Sequence, residues 1–526
     1  MKADFTREPF HPEKHFARVL MQQGRVQLDA DWNEQASILL RYQQVLAADL
    51  IGPHGGPVHN CGFVVNDFST ASAVNGDFRL SSGHYYVDGI LCEIDPQPVA
   101  VAMVVATPAQ PKQIVVASWS VDDLAFAKGQ YVELFAPPNK TLLATVADIN
   151  QSESKLTLDQ DVSAFKPVSL RRVTTYRGQS DLPDPGALPA GKQVVYLDVW
   201  ERLITYVEDD SIREVALNGS DTSARSRFVC QVKVTDVRAD GTDPTTLLDP
   251  PNRGFLRARS AKAAASTDPC TISPNARYRG PQNQLYRVEI HTGGSLASSG
   301  SAVPTFKWSR ENGAVVFPIV RSAGDSAFVL ESLGRDDRFG LAEGDWVEIQ
   351  DDDSVLLNRA DKLLEVQSID RSTMTVTLSG ASGSKTGATP AKHPLLRRWD
   401  QKFDDPTEGG LEKGADNAAL IVEGDDWLDL ENGVQIQFPA PTAGQPPAQY
   451  RTGDYWLIPA RVATGDVEWP TVAVLDSTPN QVQSPVALPP DGIEHHYAPL
   501  ANVTVAAGGG VTVNNALTKT FPPAAP

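Results

Sequence analysis

From Gly62 onward the chain is written almost entirely in short β-branched and aromatic runs broken by Asn, Asp and Gly. Phe63-Val-Val, Phe78-Arg-Leu and His84 to Ile94 read as strands, and Asp88-Gly89 is a two-residue hairpin signal. Val194 to Val207, Phe228 to Val234, Tyr286 to Ile290 and Thr305 to Trp308 read as strands of a sheet core. Asn312-Gly313 stands before the apolar run Ala314 to Phe317 and is a second hairpin candidate. No helical period intervenes between these runs, so the body is expected to be mainly β, with a sandwich-like centre. The 39 Gly and 39 Pro fit a fold with many turns.

The N-terminal segment is different. Gly24 supplies a sharp turn, and Asp31 is a candidate N-cap with Glu34 three residues on. Trp32, Ala36, Leu39, Leu46 and Leu50 then mark one helical face, with Gln43 inside it; Gly52-Pro53 and Gly55-Gly56-Pro57 stop the helix. Such a stripe suits packing on the chain's own sheet or on a partner. Arg25, Asp29, Asp31, Trp32, Asn33, Glu34, Leu39 and Leu46 are the candidate docking residues: the arginine can pair with carboxylates and the indole can fill a pocket.

An internal repeat follows. Lys128-Gly-Gln-Tyr-Val-Glu-Leu134 matches Glu343-Gly-Asp-Trp-Val-Glu-Ile349, and later matching runs end on Leu170-Arg-Arg172 and Leu396-Arg-Arg398. Each copy holds about five short strands in about 50 residues, the size of a small SH3-like barrel. The expected organisation is an arm over 1–57, a β segment over 58–115, a barrel over 116–180 and a central β body over 181–325. A second barrel over 326–402, a β segment over 403–500 and a loose Gly/Pro-rich tail over 501–526 complete it.

Composition narrows the function. A net charge of −19 disfavours nucleic acid and anionic membranes, because phosphate binding needs basic surface. Cys61, Cys92, Cys230 and Cys270 show no zinc spacing and read as buried free thiols. The first residues lack the apolar core of a signal peptide and no window is apolar enough to span a membrane, so assembly in the cytoplasm is expected, with any release by another route.

No strong catalytic, cofactor or metal motif is present. His11 and His15 have a Pro between them and no third ligand nearby; His495-His496 reads as part of a turn; Asp351-Asp-Asp353 and Asp425-Asp426 read as solvated loop carboxylates, lacking the alternation calcium needs. Asp198 and Glu201, flanking Trp200, are the carboxylates to test for a glycosidase. Most Trp sit in strand patterns, but Trp346 and Trp456 follow Gly-Asp turns and are expected to be partly exposed as surface contacts.

The stretch Arg18-Val-Leu-Met-Gln-Gln-Gly-Arg25-Val-Gln-Leu-Asp-Ala-Asp-Trp-Asn-Glu-Gln35 resembles the opening of an uncharacterised family encoded beside phage-tail-like contractile injection systems. The likeness continues at Tyr196 to Arg202, Ser211 to Leu217, Thr305 to Phe317 and Tyr450 to Arg461. The resemblance implies a structural, non-enzymatic part of a tail-like particle, at the baseplate or particle surface. Its implied partners are other tail and baseplate proteins and further copies of itself once assembled, with no cofactor. A tail-fibre-like glycan-binding module and a cell-wall polysaccharide hydrolase are the rival expectations.

Overall fold

The fold comes from a computed structural model. It describes residues 1–522 except 69–75, 106–110, 122–123, 238–247, 249–250, 262–276, 298–302, 337, 384–385, 404–408 and 476–480. The chain is mainly β and divides into two compact units. One holds residues 1–41, 201–227 and 249–494; the other holds 42–200, 228–248 and 495–526.

In the first unit, strands Thr305–Ser309, Gln284–Thr292 and Tyr455–Arg461 are central to a five-stranded sheet. A three-stranded sheet, Arg257–Ser260, Val434–Gln437 and Leu428–Glu431, faces it across one core. Tyr286, Val288, Ile290, Phe306, Trp308 and Trp456 meet Ala258, Leu430, Val434 and Ile436 there. Their alternation along each strand is the two-residue period of a pleat.

The same unit contains a closed six-stranded barrel. In order around it run Trp346–Gln350, Leu364–Asp370, Thr375–Leu378, Ala327–Leu330, Val316–Ser322 and Leu395–Trp399. The second unit contains another, ordered Tyr131–Ala136, Lys140–Asn150, Lys155–Leu158, Gln113–Val116, Val99–Val105 and Ser169–Arg172. Numbered by chain position, both close in the same order: third, fourth, fifth, second, first, sixth. Their register shifts coincide as well, at Val101/Met103 and Val146/Asp148 in one and Ile319/Arg321 and Val366/Ser368 in the other. Bulges bend a strand sharply, and closing so small a barrel requires bends at fixed places. The repeated wording therefore marks a repeated fold. Each copy has six strands instead of five and begins earlier than the repeat suggested, at Val99 and Val316, because the first two strands share little sequence.

Asp88 and Gly89 both have positive φ, 48° and 79°, and join strands Gly83–Val87 and Ile90–Ile94 as a hairpin. Asn312-Gly313 also turns with both φ positive, but it is no hairpin. Thr305–Ser309 lies in the five-stranded sheet and Val316–Ser322 in the barrel, so the turn passes the chain from one to the other.

The C-terminal segment is not a loose tail. His495–Val505 and Val511–Asn514 pair around the Gly508-Gly-Gly510 turn, and Thr520–Phe521 adds to His54–Pro57. The glycines there are turn residues, closed by the Ala506 amide donating to the Gly510 carbonyl. Cys61, Cys92 and Cys230 are free thiols, of which only Cys92 is fully buried; Cys270 lies outside the described residues.

The N-terminal helix spans Asp29–Ile51. Its start falls two residues before the expected cap: Thr6 donates its amide (2.9 Å) and its hydroxyl to the Asp29 carboxylate, while Asp31 accepts from the Leu28 amide at 3.3 Å. Glu34 is half-buried, without a reciprocal cap bond among the described residues. Farther along, Gly89 meets the helix. A Cβ on Gly89 would stand 1.9 Å from the Gln44 carbonyl oxygen, so the contact requires glycine. Gly89→Val should lift the helix from this hairpin and cost more than about 1 kcal/mol, since both the positive φ and the contact are lost. Hydrogen exchange over residues 44–51 and a thermal melt measure it; unchanged protection would mean that the contact does not hold the helix.

Candidate docking surface

The N-terminal segment and its helix turn apolar side chains outward. Trp32, Leu39, Leu46 and Leu50 are 60%, 54%, 61% and 78% exposed, and Leu40, Tyr42 and Val45 lie open beside them. Ala30 and Ile38 are the buried helix residues, and the inward positions carry small or polar side chains such as Ser37, Gln44, Ala47 and Ala48. The stripe expected from the sequence is present, and solvent covers it. The preceding extended segment adds exposed Phe16, Leu20, Met21, Val26 and Leu28, and is tied to the helix where the Val19 amide donates to Gln35 Oε1 at 2.9 Å. Gly24 makes the expected turn, with φ 69°. Arg25 and Asn33 are exposed; Arg25 forms no ion pair among the described residues. Burial works to raise the Asp29 pKa, but the Thr6 hydrogen bonds hold it below the ordinary carboxylate value. Among the described residues no helix is long and apolar enough to cross a membrane.

The two tryptophans chosen as surface contacts part company. Trp346 is half-buried, its edge-to-face partner being Phe403. Trp456 is 1% exposed: it sits on a central strand, fills the core and donates its indole N–H to the Leu488 carbonyl. A Gly-Asp turn precedes both, but only the barrel strand starts at a surface.

Of the acidic candidates, Asp425 and Asp426 are exposed, as expected, whereas the run Asp351 to Asp353 is tied into the structure. Asp351 caps the short helix Asp352–Leu356 by accepting from the Ser354 amide. Asp352 holds Arg202 (3.1 Å) and His393 (2.8 Å), and Asp353 holds Lys392. They are structural carboxylates, not solvated loop residues. His495 and His496 lie on a strand rather than a turn, bonded to Asp198 (2.7 Å) and Asp88 (3.0 Å).

Asp198 is 3% exposed and also accepts from Lys233 at 2.7 Å. Trp200 and Tyr497 flank His495. Burial works to raise the Asp198 pKa; the His495 hydrogen bond and charge and the Lys233 charge hold it below the usual carboxylate range. A glycosidase acid needs the opposite shift. Glu201, three residues along the same strand, points to the other face, so the pair does not converge.

A charged cluster that the sequence reading missed lies inside the first unit. Strand Gln284–Thr292 is buried on both faces. Arg287 and Glu289 bond each other at 2.6 Å, Lys2 reaches Glu289 at 2.8 Å, and Lys307 spans Glu289 (3.5 Å) and Glu348 (2.5 Å). Trp399 donates its indole N–H to Glu348 at 3.0 Å and lies under the Lys307 ammonium. These groups join the charged face of the sheet to the barrel strand Trp346–Gln350. Burial would raise the Glu348 pKa, but Lys307 keeps it low. Removing one member of such a set costs about 3–5 kcal/mol, mostly through the charge left behind.

His291 follows on the same strand face, 1% exposed, with neither ring nitrogen hydrogen-bonded within the described residues. Burial, then the Lys307 charge, pull its pKa down to about 4. The unfolded chain therefore takes up the proton first, and stability falls as pH drops from 6.5 towards 4. At pH 5 the loss should be about 2 kcal/mol relative to pH 7, and His291→Phe should remove it. Denaturant midpoints at the two pH values test this; an equal pH dependence in both proteins would exclude His291 as its source.

With the geometry in view, sequence comparison gives one result. A family described as "Family of unknown function (DUF6519)" matches residues 1–115, 186–254 and 250–512. The chain belongs to this family. The matched segments include the arm, the whole of the five-stranded sheet and the barrel Val316–Trp399, while most of the barrel Val99–Arg172 falls outside them. No curated protein and no solved structure matches the chain.

Proposed function

We propose that this DUF6519 protein is a structural component of a phage-tail-like contractile injection particle, seated at the baseplate or particle surface through residues 1–57. The observation that carries this reading is the exposed apolar stripe Trp32, Leu39, Leu46 and Leu50. Fully burying each leucine is worth about 1.5–3 kcal/mol, so two or three such side chains suffice for a firm seat. The resemblance of Arg18 to Gln35 to proteins encoded beside such particles supplies the particle. In this reading the arm docks on another tail or baseplate protein, and the β body, with its sandwich-like centre and two SH3-like modules, is the part displayed. Copies are brought together by the particle's symmetry, where many modest contacts add up. Assembly takes place in the cytoplasm, and exposure outside the cell follows release of the particle.

The hydrolase reading has less support, because Asp198 is held ionised in a closed set of partners and Glu201 faces away from it. A glycan-binding role loses Trp456, which is in the core.

Deleting the whole arm is a poor test, because it would also remove Lys2 from buried Glu289. Leu39→Asp with Leu46→Asp changes only exposed positions. The double variant should fold with the parent circular dichroism spectrum and thermal midpoint, yet fall at least roughly ten-fold in occupancy on purified particles, since about 1.4 kcal/mol already gives that factor. Full occupancy of the variant would end the docking reading.

A further inference from the structure

Phe403 and Trp346 form two walls of an aromatic corner. Their ring centroids are 5.7 Å apart and the planes meet at 87°. Trp346 opens a barrel strand after the Gly344 turn, whose φ is 91°, and its ring is half-buried, packed against Leu363, Trp399 and Ala418. Phe403 follows the last barrel strand, beyond buried Gln401, and is half-buried against the core. Into the corner comes a cation. The Lys413 ammonium stands 4.8 Å from the Trp346 centroid and 5.5 Å from that of Phe403.

Lys413 is exposed and forms no ion pair among the described residues; the two rings are its partners. An ammonium free to remain in water has instead settled against two π faces, which attract positive charge through the ring quadrupole. Lysine prefers water and hydrogen-bond acceptors to aromatic faces. A tetrahedral cation clothed in methyl groups fits better, because it has little hydration to lose and meets both faces with apolar surface. The chain's net charge of −19 raises the local concentration of any such cation.

We propose that the Trp346–Phe403 corner is a binding site for a quaternary ammonium group, with Lys413 as its displaceable internal occupant. This stands apart from how the arm docks. The group can arrive on a choline-type lipid headgroup or on free phosphorylcholine; the chemistry at the rings is the same.

The test uses the full chain labelled with 5-fluorotryptophan, the Trp346 signal being assigned by its absence in Trp346→Phe. Tetramethylammonium chloride should move that fluorine resonance saturably, and potassium chloride at equal ionic strength should not. Lys413→Ala, which removes the competitor, should lower the midpoint roughly three-fold or more; Phe403→Leu should raise it. Phosphorylcholine in solution and phosphatidylcholine vesicles then identify the carrier, and saturation by either supports the site. No saturable shift of the Trp346 signal in Lys413→Ala, or the same shift with potassium chloride, would overturn the proposal.

Discussion

The charges inside strand Gln284–Thr292 govern the first unit. One face of the strand carries Tyr286, Val288 and Ile290 into an apolar core; the other carries Arg287, Glu289 and His291. An alternation of this kind normally leaves the charged face to water. Here the barrel covers it, and the sheet is viable because every carboxylate meets a cation: Glu289 with Arg287, Lys2 and Lys307, and Glu348 with Lys307. The arrangement fixes geometry more than it adds stability, since desolvating ions consumes most of the Coulomb gain. A barrel turned by one strand would bring Glu348 to the wrong neighbour and leave Lys307 with Glu289 alone.

The two barrels show how one folding unit serves two settings. Glu133 faces Arg171 across the third and sixth strands, and Glu348 faces Arg397 at the same register. In the first copy that pair closes on itself at 2.7 Å, partly in water. In the second, Lys307 and Trp399 take the glutamate, and Arg397 turns to Gln350 and the Gly313 carbonyl. Interiors are kept: Val132, Leu134, Val146, Leu156 and Leu170 stand where Val347, Ile349, Val366, Val376 and Leu396 do. Closure depends on the inner set and attachment on the outer one, so the outer set is free to differ.

What the sequence made legible follows from the range of the forces involved. The long helix, the Asp88-Gly89 hairpin and the repeat are encoded by neighbours within a few residues, and all three could be read. The Asn312-Gly313 turn was also legible as a turn, but its two strands join different sheets, which only distant partners decide. Arg287, Glu289 and Lys307 alternate with apolar residues and read as a solvent face; their burial comes from a barrel whose strands follow later in the chain. Asp351 to Asp353 looked like free carboxylates because Arg202, Lys392 and His393 are remote in sequence. The helix stripe was visible, but whether it faced inward or outward depended on partners remote in sequence. The aromatic corner was half visible: Trp346 could be singled out, and Phe403 and Lys413 could not.

Charge bears on what the exposed stripe can meet. The chain as a whole is strongly acidic, but residues 1–57 hold six basic and seven acidic side chains and are close to neutral. The body therefore repels other copies of itself, while the arm neither attracts nor repels strongly. An apolar stripe on a neutral arm associates through area removed from water, a force that is blind to sign and weakly sensitive to salt. On the proposed reading the charge of the bodies opposes association of free copies, and the N-terminal stripe is left for a surface of matching shape. On the proposed reading, a tail component that fixes copies at set distances overcomes the repulsion that keeps the free chains separate, and self-association follows docking and does not precede it.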